Sequence, residues 1–92
     1  MLEIDTTSVH YFSVRDETNF YDWLKEIKCL ESFKRGIAVV DPDKADHSQL
    51  LELIAALYRY NVPMHPLRDL KNSRNEEWFA DPIRYWHDAV FG

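Results

Sequence analysis

Ninety-two residues, 46% of them apolar and 14% aromatic, suffice for one globular domain with a small core and exclude a disordered chain. A formal charge of −5, from 16 acids against 11 bases, excludes a general nucleic-acid binder, which carries an excess of Lys and Arg. The lone Cys29 excludes an internal disulfide; with no basic, apolar leader and no 18-residue apolar run, a cytoplasmic protein that does not enter membranes is expected.

The first predicted element is a strand over residues 9–15, VHYFSVR. Both of its alternating sets contain apolar side chains, Val9 and Tyr11 on one face and Phe12 and Val14 on the other, as in a strand buried on both sides. An amphipathic helix follows from Asp16 or Thr18 as cap. Phe20, Trp23, Leu24, Ile27 and Leu30 recur at helical spacing. Gly36 reads as the residue that ends this helix. Ile37, Ala38, Val39 and Val40 form a short unbroken apolar run that predicts a central parallel strand, closed by Pro42.

Asp46 is a natural N-cap for a second helix, with Gln49 three residues on as a variant capping box. That helix, QLLELIAALYRY, is apolar almost all round, with Glu52 and Arg59 on its one polar edge. Such a helix is covered on most sides or contributes to a subunit contact. Asn61 reads as its end. NVPMHPL predicts a short edge strand, because Pro63 and Pro66 limit ladder bonding. RDLKNSRNEE is polar and exposed. Asp81 followed by Pro82 predicts the cap and first turn of a third helix, with Ile83, Trp86 and Val90 on the arc that docks into the domain. Phe79, just before the cap, can pack on Ile83 much as a hydrophobic staple does.

The order strand, helix, strand, helix, short strand, helix predicts an α/β fold: a small two- to three-stranded, mainly parallel sheet with three helices, in a single layered domain over residues 1–92. Two glycines are too few for an all-β fold with many tight turns.

The loop DPDKADH leaves the carboxyl end of a predicted strand, where open α/β sheets place ligands. Asp41, Asp43, Asp46 and His47 there supply oxygen ligands and a base, so a small metal-dependent enzyme centred on Asp41, Asp43 and His47 is one reading. An EF-hand is excluded by Ala45 and Asp46 at the positions of a ligand and of the required glycine. The simpler reading is a turn opened by Asp41 and a cap made by Asp46. His65 and His87, with Asp69 or Asp88, form a second candidate polar cluster. Lys34 and Arg35 make a small basic spot, and Arg68, Lys71 and Arg74 another beside Trp78. Cys29 lacks the partner cysteine of a redox motif. No phosphate-binding glycine loop, nucleophile elbow or zinc-protease motif occurs, and no cofactor or metal is expected.

The functional expectation is therefore a small, acidic, non-enzymatic module that binds another protein, a basic one, as an immunity protein, antitoxin or regulatory inhibitor does. Trp78, Tyr85 and Phe91 are the expected anchors, with Glu76, Glu77 and Asp88 steering the partner. The alternative is a homodimeric subunit of a larger complex that self-associates through Leu51, Ala55 and Tyr58.

Overall fold

A computed structural model describes all residues, 1–92. The chain runs β1 (Leu2–Asp5), α1 (Val14–Glu26), β2 (Leu30–Lys34), β3 (Ile37–Val40), a 3-10 turn (Pro42–Lys44), α2 (His47–Arg59), a 3-10 segment (His65–Leu70), α3 (Glu76–Phe79) and α4 (His87–Phe91). The sheet order is β1-β3-β2, and both pairings are antiparallel.

This corrects the expectation of a mainly parallel sheet. Ile37–Val40 does form the central strand, but its neighbour β2 is joined to it by only two residues, Arg35 and Gly36. A connection that short can only make a hairpin, since parallel strands need a crossover of a dozen residues or more. Arg35 and Gly36 have φ of 54° and 80°, the two positive values that a type I′ hairpin turn requires. Gly36 thus turns a hairpin and does not end a helix. Its close approach is also specific: a Cβ there would sit 2.8 Å from Thr7 Cγ2.

Residues 9–15 are not a strand. They make a loop and the start of α1, and Phe12 and Val14 are almost wholly exposed. Tyr11 instead folds back onto Phe20 and Tyr60, with ring centroids 6.0 and 6.4 Å away. The first strand is LEID, whose plain alternation puts Ile4 in the core and Glu3 and Asp5 in solvent. α1 begins two residues before the expected cap. Ser13 Oγ accepts the Asp16 N–H, and Asp16 in turn accepts the Phe12 N–H, a reciprocal arrangement close to a capping box. The proline-bounded NVPMHPL is no strand either. Pro66 lies in the first turn of a 3-10 segment that begins at His65, because its missing N–H suits a first turn better than a ladder.

α2 forms as the capping signals indicate. The Asp46 carboxylate accepts the Gln49 N–H at 3.0 Å. Asn61, with φ 56°, ends the helix in a complete Schellman motif. Its N–H donates to the Tyr58 carbonyl, and the Val62 N–H donates to that of Leu57. Gln49 does not close a capping box; its Oε1 accepts the N–H groups of Lys28 and Cys29 at 2.6 and 3.2 Å, which ties the α1–β2 turn to the first turn of α2.

The register places Leu2, Ile4, Ala38, Val40, Leu30 and Phe33 on one face of the sheet. That face carries the buried sheet residues Ile4, Ala38 and Val40. α1 packs on it, with the Tyr21 ring 4.8 Å and the Phe20 ring 6.0 Å from that of Phe33. Leu50, Leu53, Ile54, Ala56 and Leu57 of α2 are fully buried in the same cluster. Glu3, Asp5, Ser32 and Lys34 share the opposite, open face with the half-buried Ile37 and Val39.

The expected third helix from Pro82 is absent. Residues 81–86 are a succession of turns in which Asp81 accepts the Ile83 N–H with its carboxylate and the Arg84 N–H with its carbonyl. α4 starts only at His87. Trp86 and Val90 are buried as expected, but Ile83 is 86% exposed, because the wheel that put the three on one arc assumes a continuous helix. The Trp86 indole N–H donates to the Phe79 carbonyl at 2.8 Å. That buried bond fixes the path of the turns between them, and with no helix at 81–86 there is no staple of Phe79 on Ile83.

Candidate functional site

The DPDKADH loop is built as a turn and a helix cap. Asp41 accepts the Asp43 N–H, Pro42 opens the 3-10 turn, and Asp46 caps α2. The Asp46 carboxyl is held below the usual carboxylate range by the Gln49 N–H and by the Ser48 hydroxyl, which donates at 3.1 Å. Lys44 turns away to Glu31, 2.9 Å distant, and that bond raises its pKa. No three His, Cys, Asp or Glu side chains are grouped to hold a metal ion. Two of the carboxylates expected as ligands, Asp41 and Asp46, are already occupied by backbone N–H groups.

This loop meets a distant stretch of chain. A cleft of about 560 Å³ opens between Asp43, Asp46 and His47 on one wall and Ser73, Arg74 and Trp78 on the other. The His47 imidazole stands edge-on to the half-buried Trp78 indole, with centroids 4.4 Å apart. The far wall is braced by side-chain hydrogen bonds. Asn72 and Asn75 accept each other's backbone N–H groups with their side-chain oxygens, and the Asn75 amide donates to the Leu70 carbonyl. Asn75 is buried and fully satisfied. The side chains of Asp43, His47 and Arg74 make no internal hydrogen bond or ion pair, and point their chemistry at the cleft and solvent.

The cleft lining carries Asp43 and Asp46 against Arg74, and the flanking chain adds further acids. Residues 41–47 and 72–78 carry Asp41, Asp43, Asp46, Glu76 and Glu77 against Lys44 and Arg74, a balance of −3 out of the chain's −5. Glu76 and Glu77 are exposed at the start of α3, directly before Trp78.

The other expected anchors lie elsewhere. Tyr85 is 54% exposed and packs edge-on against Tyr58, itself 46% exposed, with centroids 4.8 Å apart. Partial burial raises the Tyr85 pKa, with a smaller push from Tyr58. Phe91 is half-buried against Phe79 at 5.0 Å, and Asp88 is exposed beside it on α4. The rings form a train: His47 to Trp78, Trp78 to Trp86, Trp86 to Tyr85, Tyr85 to Tyr58. His47 and Tyr58 are the two ends of one α2 stripe that also contains Leu51 and Ala55, both half-buried. The ring train therefore begins and ends on that stripe.

His65 and His87 are not brought together as a cluster: the His65 ring lies 3.2 Å from the Arg68 guanidinium, and His87 neighbours Asp88 and Phe91. Arg68 is drawn off the basic spot by two bonds to the Val90 carbonyl. Cys29 is buried, and desolvation pushes its thiol up to about 11, which makes it inert as a nucleophile at neutral pH.

The DPDKADH loop and Trp78 each stand out in the sequence, but nothing in it shows that they form opposite walls of one cleft. Ile83, expected in the core, is exposed two residues before Tyr85. No helix is long and apolar enough to cross a membrane. No family model, no curated protein and no solved structure matches the chain.

Proposed function

We propose that this protein is a non-enzymatic interaction module that binds a basic protein in its acidic cleft, as an immunity protein, antitoxin or regulatory inhibitor does. The observation that carries the reading is the placing of Asp43 and Asp46, against the single Arg74, in a concave surface with the half-buried Trp78 indole, with the exposed Glu76 and Glu77 directly before Trp78 in the chain. Concave surfaces of one sign focus their field and accelerate association with an opposite partner. An indole face beside carboxylates suits an arginine or lysine side chain from that partner. The mostly polar lining is a poor match to a small-molecule pocket, whose walls are mainly apolar. Trp78 is the anchor in this reading, with Asp43, Glu76 and Glu77 as steering charges.

Affinity capture from the native host tests it. The unmodified protein is compared with a cleft variant, Asp43→Lys with Glu77→Lys, and with a control of equal charge change, Glu3→Lys with Glu26→Lys. All four positions are exposed, so the fold should tolerate both pairs. The expected result is one basic species retained by the unmodified protein and the control, released by moderate salt and absent from the cleft variant. Equal retention by the cleft variant overturns the assignment.

A further inference from the structure

We propose that His47 makes the acidic cleft a pH-sensitive site, which takes an arginine or lysine of the basic partner while the imidazole is neutral and releases it when the imidazole is protonated. This regulation rests on the binding of a basic partner proposed above.

The imidazole stands where one added proton alters the site. It lines the cleft, and its ring centroid is 4.4 Å from that of the Trp78 indole, the anchor on which the partner's cation is expected to pack. His47 is exposed, and neither ring nitrogen has a partner within the chain, so both charge states are open to it. The Gln49 N–H and the Ser48 hydroxyl hold the Asp46 carboxyl low, and the His47 charge lowers it further. The two side chains therefore sense each other already, and Asp46 stays ionised while the imidazole titrates.

Within one turn after His47, α2 carries no other charged residue. The preceding cap and 3-10 turn contribute Asp46 and Asp43 to the lining; Asp41 is occupied by the Asp43 N–H, and Lys44 is drawn off to Glu31. The far wall contributes Arg74, with the exposed Glu76 and Glu77 following it. The lining charge is thus −1 with a neutral imidazole, from Asp43 and Asp46 against Arg74, and zero once the ring is protonated. Free carboxylates titrate near about pH 4, whereas an imidazole changes charge between about pH 5 and 8, so in that window His47 is the lining group that switches. Its proton cancels the local attraction for a cation and sets a like charge against the same indole. By reciprocity, a bound cation opposes that proton by the same factor.

Titration of the full chain with a short arginine-rich peptide, at about pH 7.5 and about pH 5.5 and constant ionic strength, is the test. It is run beside His47→Gln, which stays neutral, and His47→Lys, which stays charged. The expected result is an affinity that falls about three- to tenfold at the lower pH in the unmodified protein, stays constant in His47→Gln and is weak at both values in His47→Lys. Without peptide, the Trp78 indole chemical shift should follow the His47 ring protons through the same window, and His47→Gln should abolish that response. Equal affinity at both pH values, or an equal loss in His47→Gln, overturns the switch and leaves the function of the cleft standing. So does an indole that ignores the His47 titration. Absence of binding at about pH 7.5 overturns that function, and the switch with it.

Discussion

Gln49 is the side chain whose removal should report most clearly on how this fold is tied together. Its Oε1 accepts two backbone N–H groups of the α1–β2 turn, those of Lys28 at 2.6 Å and Cys29 at 3.2 Å. Cys29 is fully buried, whereas Lys28 is exposed. Losing the acceptor leaves a buried Cys29 N–H without a partner, which costs about 1–3 kcal/mol, while water replaces most of the Lys28 bond. The expected destabilisation for Gln49→Ala is therefore about 2 kcal/mol. Gln49→Met keeps length and bulk but has no oxygen, so it should lose nearly as much. Gln49→Glu keeps an acceptor and adds a negative charge in the first turn of α2, where the helix dipole favours it; it should lie within about 0.5 kcal/mol of the unmodified protein. Urea unfolding gives these differences, and amide exchange at Lys28 and Cys29 should accelerate in the Ala and Met variants alone. If Met is as stable as the unmodified protein, or Glu as damaged as Ala, the acceptor role assigned to Gln49 is wrong.

The hairpin turn gives two opposite expectations. Gly36→Ala meets Thr7 at a positive φ and should destabilise by about 1–2 kcal/mol or more, whereas Arg35→Asn supplies the preferred I′ residue at φ 54° and should stabilise by about 0.5–1 kcal/mol; thermal or urea unfolding measures both. Trp86→Phe keeps a ring but removes the donor to the buried Phe79 carbonyl, and should lower stability by about 2–3 kcal/mol in the same assay. Burial pushes the Cys29 thiol up to about 11, above its unfolded value of about 8.5. Its contribution to stability is thus complete below pH of about 8.5 and is lost as the pH rises toward 11. Unfolding followed across that window should show a decline that Cys29→Ala flattens, and the native thiol should resist thiol reagents at pH 8 until the protein unfolds. The Tyr11 hydroxyl, pushed up to about 12 by desolvation, should add a separate loss beginning near its unfolded value of about 10.

Local signals in this chain were legible where the backbone satisfies itself locally. Asp46 and Asn61 bracket α2 because a carboxylate cap and a left-handed asparagine act within a few residues. The apolar run Ile37–Val40 does form the central strand, between β1 and β2. What depended on distant partners was not legible. Arg35-Gly36 lacks the asparagine that usually marks a I′ hairpin, so the antiparallel pairing was hidden behind a glycine that also suits a helix end. Tyr11 reads as a strand residue by type, but it spends its ring on Phe20 and Tyr60. Asp81-Pro82 carries a good helix start, and the Trp86 indole, reaching back to the Phe79 carbonyl, holds the chain in turns instead. For the site, both walls of the cleft were visible as sequence features. Their meeting required α2 to present His47 to Trp78, 31 positions later, which no local pattern encodes.

The central claim is that the acidic cleft recognises a basic surface. A short arginine-rich peptide, titrated into isotope-labelled protein and followed by amide and indole chemical shifts, tests it most directly. The account predicts saturable shifts centred on the Trp78 indole and the amides of residues 43–47 and 73–78, which vanish in the Asp43→Lys, Glu77→Lys variant. Shifts spread evenly over the acids of every face, or centred on Glu3 and Asp5 of the open sheet face, would contradict it.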